Sequence, residues 1–156
     1  MTYVFDTSPL SALFRNYYRS RFPTLWEQFD MLVQNGLIAS TREVYREIED
    51  GPNEDLRLWA DDHRELFSTP TAQEGEFVAR IYQVRHFQQN IEQQKILKGG
   101  NNADAFVIAK AGVENATVIT MEALRPNASK IPNICEHFGV MWMTLEGFME
   151  AEGWTF

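Results

Sequence analysis

Acidic residues lie at several boundaries between apolar segments of this sequence, and they are the side chains most able to do chemistry. Asp6 directly follows an apolar stretch, Glu122 comes shortly after another, Asp104 begins a strongly apolar helix, and Glu47 lies within a shorter helix. Carboxylates brought together repel one another, and a hard cation such as Mg²⁺ or Mn²⁺ relieves that repulsion because it prefers oxygen ligands. Such an ion can activate a water for hydrolysis of a phosphodiester.

Each acid taken singly also fits a structural role. An aspartate after a strand is often a turn or cap residue, and Asp104 at a helix start is favoured by the helix dipole. Glu47 fits a solvated helix face, and Glu43 fits a capping box in which Ser40 is the cap. The metal-binding interpretation therefore depends on the acids converging in space.

The elements that must position these acids alternate between strands and helices. Apolar stretches predict strands at 2–5, 116–120 and 140–143, with a brief candidate at 37–39. Helices are predicted at about 9–18, 25–34, 41–49, 54–67, 71–93, 103–111, 132–138 and 145–151. Strands separated by helices imply an α/β fold with a parallel sheet covered on both faces. In such sheets function gathers beyond the carboxyl ends of the strands, where Asp6 and Glu122 lie.

Composition limits the class of protein. The chain has 156 residues and is 44% hydrophobic, which fits one ordinary domain. Its net charge of −8 argues against charge-driven nucleic-acid binding over the whole surface, while allowing a local basic patch or a basic partner. The single cysteine excludes an internal disulfide, and no zinc-type ligand spacing is present. We expect a cytoplasmic protein without membrane association, because neither a secretory signal nor an apolar run of about 20 residues is found.

The acids and their neighbours resemble the four motifs of the PIN-domain family. Residues 3–8 are similar to its hydrophobic strand followed by Asp-Thr-Asn/Ser, and residues 44–48 to its second motif, with an apolar residue three positions before a glutamate. Residues 103–109 resemble its aspartate opening an apolar helix, and residues 118–122 its strand ending in Thr-x-Asp. The segment 130–140 resembles a PIN-like branch in which Ile-Pro-x-x-Cys precedes the last strand. The match covers nearly the whole chain in the same order.

This resemblance implies a PIN-like three-layer sandwich, with a central parallel sheet flanked by helices. It implies a metal-dependent endoribonuclease in which Asp6, Glu47, Asp104 and Glu122 are the catalytic and metal-binding residues for Mg²⁺ or Mn²⁺. Many members of the family are toxins of VapC-type toxin–antitoxin pairs, so the implied partners are an RNA substrate, an antitoxin protein and a second copy in a homodimer.

Three features depart from the family pattern. Ser8 stands where asparagine is commoner, and Glu122 is one methylene longer than the usual aspartate, so it could ligate through water. We also predict that the single domain, residues 1–156, carries a helical insertion at about 54–93, which exceeds the compact toxins and leaves the choice of substrate open.

Hydroxyl residues next to the acids are candidates for supporting roles. By resemblance, Thr7, Ser8 and Thr120 orient carboxylates or water, although ordinary hydrogen bonding at strand ends explains them equally well. Lys95, Lys98 and Arg46 are candidate contacts for RNA phosphates, the alternative being a solvated loop or helix face.

Aromatic residues interleaved with arginines between positions 14 and 22 are candidates for a homodimer interface, because that composition is typical of interface centres. The alternative is that this first helix simply packs on the sheet. The aromatic candidates are Phe14, Tyr17, Tyr18 and Phe22.

Two other classes compete with the nuclease. A phospho-accepting receiver domain also places acids at strand ends, but it needs paired acids after the first strand, and residues 3–6 supply only one. A non-catalytic PIN-like module that binds RNA or protein would keep the fold without the metal, and the four acids weigh against that loss.

Overall fold

The computed structural model describes residues 1–97 and 102–156. Its strands are β1 (Tyr3–Phe5), β2 (Ile38–Thr41), β3 (Phe67–Ser68), β4 (Thr117–Thr120) and β5 (Trp142–Thr144). They form one sheet in the order β3-β2-β1-β4-β5, with all of these neighbours paired in parallel. Because β1 and β4 are adjacent and parallel, the residues that follow them lie at the same end of the sheet, beyond the carboxyl ends of the strands.

Helices connect the strands and cover the sheet, so the predicted α/β class with a flanked parallel sheet is confirmed. They are α1 (Thr7–Asn16), α2 (Pro23–Gln34), α3 (Arg42–Asp50), α4 (Glu54–Asp62), α5 (Ala72–Gln83), α6 (Gln88–Leu97), α7 (Ala103–Glu114), α8 (Ile131–Phe138) and α9 (Leu145–Ala151). Short 3₁₀ turns occur at Arg64–Leu66 and Arg85–Phe87. Within the described ranges, no helix combines the length and apolarity that a membrane span needs.

The two central strands are buried on both faces, which is why their sequences are apolar without alternation. Tyr3 and Phe5 place their rings against Phe148 of α9, with centroids 4.7 and 5.2 Å apart and the rings edge to face. Val4 and Val118 are fully enclosed. The strand ends that carry Asp6 and Glu122 are thus held by a rigid core.

Helix α7 packs closely against α5 and has an apolar sequence with most of its residues buried. A methyl group at Gly112 would come within 2.6 Å of the Phe77 ring, so the glycine permits the close approach of these helices. This close contact lies near the carboxyl end of α7 and holds the helix against α5.

The cap of α3 differs from the one predicted. Thr41, rather than Ser40, accepts a hydrogen bond from the Val44 backbone N–H, because β2 continues through Thr41. The Ser40 hydroxyl instead donates to the Phe5 carbonyl across the sheet at 2.6 Å. Glu43 is buried and accepts from the Arg42 guanidinium at 2.8 Å, so it does not complete a capping box with Ser40.

Two predicted helices are interrupted. The helix predicted at 54–67 ends at Asp62, and the chain then forms the short edge strand β3. The helix predicted at 71–93 is broken at Val84, whose backbone is extended, and it becomes α5 and α6. This break lets Ile81 before it and Phe87 after it both reach the core.

Candidate metal centre

Asp6 lies where β1 meets α1, at the carboxyl end of the strand. Its backbone N–H donates to the Ile119 carbonyl of β4 at 3.0 Å, and its extended backbone makes it the residue that precedes the helix. The residue is 1% exposed. A buried carboxylate in this position is held by strand pairing on one side and by the start of a helix on the other.

Glu122 follows β4, the neighbour of β1 in the sheet. The Thr120 hydroxyl accepts a hydrogen bond from the Glu122 backbone N–H at 3.1 Å, which closes a tight turn directly after the strand. Thr120 is fully buried, whereas Glu122 is partly exposed. This contact is the strand-end hydrogen bond that the sequence offered as the alternative for Thr120, and its role in orienting carboxylates or water stays a prediction.

Asp104 is the second residue of α7 and is 2% exposed. Its place in the first turn brings a negative charge to the positive end of the helix dipole. Its Oδ2 also accepts a hydrogen bond from Asn90 Nδ2 at 2.9 Å. Asp104 is thus a buried acid whose carboxylate accepts a hydrogen bond from the Asn90 amide.

These three acids form one cluster. One carboxylate oxygen each from Asp6, Asp104 and Glu122 lies within 4.8 Å of the other two. Oxygens that share a Mg²⁺ ion at about 2.1 Å can be at most about 4.2 Å apart, so a small side-chain closure or one bridging water brings the set to ligand geometry. A set of oxygen donors without sulfur or imidazole suits Mg²⁺ or Mn²⁺.

Glu47 lies beside this cluster rather than within it. Its Oε1 accepts from the Thr7 hydroxyl at 3.3 Å, and Thr7 is the residue directly after Asp6. The fourth predicted acid is therefore linked to the site through Thr7. A contact of Glu47 with an ion, direct or through water, remains a prediction.

The other residues predicted to support the site or to contact RNA are Ser8, Arg46, Lys95 and Lys98. Ser8 and Arg46 are exposed on α1 and α3. Lys98 and the side chain of Lys95 lie outside the described residues. The proposed phosphate contacts therefore remain predictions.

Sequence reasoning missed Asn90, which is fully buried and bonded to Asp104. It follows two glutamines in a polar stretch of α6, where an amide gives no signal of its own. The signal that existed was spacing: Asn90 comes three residues after the buried Phe87, on the same side of a helical turn.

The five-stranded parallel sheet of this order, flanked by helices, is a PIN-like fold. The chain belongs to the family described as "domain of unknown function (DUF4411)", which it matches over residues 3–156. Its fold is similar to that of a chain in the crystal structure of VapBC2 from Rickettsia felis bound to a DNA fragment from their promoter. The TM-score is 0.52 at 18% identity, over 92% of this chain and 98% of the other. No curated protein was found to match the chain.

Proposed function

We propose that this protein is a metal-dependent endoribonuclease of the PIN type. The observation that carries the proposal is the convergence of Asp6, Asp104 and Glu122 within 4.8 Å at the carboxyl ends of β1 and β4. Three acids this close repel one another unless a cation or protons lie among them. In a PIN-like fold, the sequence resemblance assigns the same positions to Mg²⁺ or Mn²⁺.

The residues of the chain divide the work of the proposed reaction. Asp6 and Asp104 are buried and would serve as ligands, while the partly exposed Glu122 would ligate directly or through water. A divalent ion in this place supplies polarisation of a water and neutralisation of charge on the leaving oxygen. Glu47, with its carboxylate near Thr7, would orient the attacking water. Hydrolysis breaks one P–O bond, adds hydroxide to phosphorus and returns a proton to the leaving oxygen.

We further propose that the protein is the toxin of a toxin–antitoxin pair acting in the cytoplasm. The Rickettsia felis protein of similar fold was crystallised as a VapBC2 complex, which supports a protein partner of the antitoxin kind for this chain. The net charge of −8 suits a basic partner segment. Phosphates of the RNA would be held by Arg46, Lys95 and Lys98.

Two structural predictions from the sequence stay with this proposal. Residues 1–156 would form one PIN-like domain, with 54–93 as its insertion. Residues 130–140, which contain α8 with Pro132 and Cys135 buried, would mark the PIN-like branch that carries Ile-Pro-x-x-Cys.

The test is cleavage of a structured RNA by purified protein with MnCl₂ and with EDTA. We expect fragments only with the metal, and their loss in Asp6→Asn and Asp104→Asn. Asp62→Asn is the matched control, because Asp62 is an exposed acid at the end of α4, outside the cluster. Cleavage that persists in both cluster variants, when both retain a native thermal transition, would refute the proposed site. Folded wild-type protein that binds RNA without cutting it would favour the non-catalytic module.

A further inference from the structure

A buried hydrogen-bond network joins α6 to the proposed metal centre. The Asn90 side chain is fully enclosed, and its Nδ2 donates to Asp104 Oδ2 at 2.9 Å and to the Ser129 carbonyl at 3.1 Å. The Ser129 backbone carbonyl can only accept a hydrogen bond, so the Asn90 amide must turn its nitrogen toward it. That contact fixes the orientation of the amide.

The other side of the Asn90 amide meets Tyr82 of α5. The Tyr82 hydroxyl lies 3.2 Å from Asn90 Oδ1 and donates to Asn102 Oδ1 at 2.6 Å. Burial raises the pKa of Tyr82 to about 12, so the hydroxyl keeps its proton at neutral pH. Asn90 thus has a polar partner on both ends of its amide.

The network spans the parts of the chain that form the cluster. Asp104 lies in the first turn of α7, and Ser129 lies near the end of the loop after β4 that contains Glu122. Asn90 bonds to both, so it holds the start of α7 against that loop. Helix α5, which carries Tyr82, lies within the insertion predicted at 54–93, and Asn90 of α6 lies within it as well.

We propose that Asn90 is a positioning residue for the metal centre, acting through the Asp104 carboxylate; this inference rests on the proposed function. A carboxylate bonded through one oxygen to a buried amide cannot turn freely about its Cβ–Cγ bond, so its second oxygen is fixed as well. Groups that orient metal ligands in this way change metal affinity by about 10- to 100-fold when they are removed. Helices α5 and α6, which carry Tyr82 and Asn90, thereby help to position the Asp104 carboxylate.

Asn90→Leu tests the proposal, because leucine has the same branching at Cγ and no donor. We expect its dissociation constant for Mn²⁺, measured by calorimetry well below the unfolding temperature, to rise about 10- to 100-fold. RNA cleavage should fall through kcat rather than KM, since Asn90 is buried and does not face RNA. Thr71→Ala is the matched control: it breaks the capping box at the start of α5, in the same segment, and should leave Mn²⁺ affinity unchanged.

The outcomes separate the two claims. Wild-type protein that does not bind Mn²⁺ would refute both the proposed function and the role of Asn90. Wild-type binding and cleavage, with Asn90→Leu within twofold of both, would overturn the role of Asn90 alone. If Asn90→Leu does not fold, Asn90→Ala decides, because it removes the same amide donor without adding bulk: weakened Mn²⁺ binding supports the proposal, and wild-type affinity overturns it.

Discussion

At the level of single residues, the acids of the candidate site differ in burial. Asp6 and Asp104 are buried and bonded to neighbouring elements, whereas Glu122 is partly exposed on a turn. Glu47 accepts a hydrogen bond from Thr7, the residue after Asp6, and lies outside the cluster of three. The first two acids should therefore contribute most to metal affinity, and Glu47 should act mainly on the reaction.

Glu47→Gln and Asp6→Asn should separate these contributions. We expect Glu47→Gln to retain Mn²⁺ binding with at most about a 10- to 100-fold loss, the range found for groups beyond the first ligands. Asp6→Asn should abolish measurable binding in the same calorimetric titration. Weaker Mn²⁺ binding by Glu47→Gln than by Asp6→Asn would reverse this assignment.

Cys135 should be inert in the folded protein. It is fully buried in α8, and this burial raises the pKa of its thiol far above neutrality, so the reactive thiolate is absent. We expect no reaction with a disulfide reagent such as DTNB under native conditions, and one thiol per chain in guanidinium chloride. Rapid labelling of the native protein would contradict the described packing of α8.

The sequence motifs predicted all three acids of the cluster as site residues, because each lies where an apolar element begins or ends. No motif could predict that Asn90 belongs to the site. Its role depends on the break between α5 and α6 and on the approach of Ser129 from a distant loop. Such a contact between segments 39 residues apart has no local pattern in the chain.

At the level of elements, helix α3 follows strand β2 without a loop, and Thr41 is the residue where they meet. Thr41 ends the strand, caps the helix and is fully buried. We expect Thr41→Ala to lower the free energy of unfolding by about 1 kcal/mol, as the loss of a helix cap does. Urea denaturation measures this effect, with the exposed Thr24→Ala of α2 as a control. An unchanged transition would show that Val44 N–H does not depend on this cap.

The central strands could be predicted because burial on both faces leaves an apolar sequence. The edge strand β3 could not, since it has two residues and lies within a segment of helical periodicity. Its register is supported by a distant contact: Lys110 of α7 donates to the Ser68 hydroxyl at 2.9 Å and pairs with Glu114 at 2.8 Å. In the sequence, Lys110 is only a lysine within an apolar helix, and nothing near it indicates a contact with Ser68.

At the level of the whole molecule, most of the aromatic residues proposed for a dimer interface also pack within the chain. Phe14 contacts Trp26 and Trp59, and Tyr17 contacts Phe22, with ring centroids 4.8 to 5.4 Å apart. Tyr18 is 61% exposed. An interface in this region would therefore be centred on Tyr18 and its exposed neighbours.

The proposed homodimer makes a direct prediction about mass in solution. Sedimentation at micromolar concentration should show a dimer, and Tyr18→Asp should dissociate it because a charge would be buried at the centre of the contact. Arg21→Asp, an exposed charge change in the same region, serves as a comparison that should weaken the dimer less. A species of monomer mass throughout the concentration range would refute the homodimer.

The central claim is that Asp6, Asp104 and Glu122 form a divalent metal centre, and calorimetric titration with Mn²⁺ tests it most directly. Wild-type protein and Asp62→Asn should bind Mn²⁺ with the same affinity, because Asp62 lies outside the cluster. Asp104→Asn should show no saturable binding while keeping a native thermal transition, because it loses a charged oxygen ligand without changing shape. Equal Mn²⁺ affinity in wild type and Asp104→Asn, or no binding to the wild type, would contradict the metal centre.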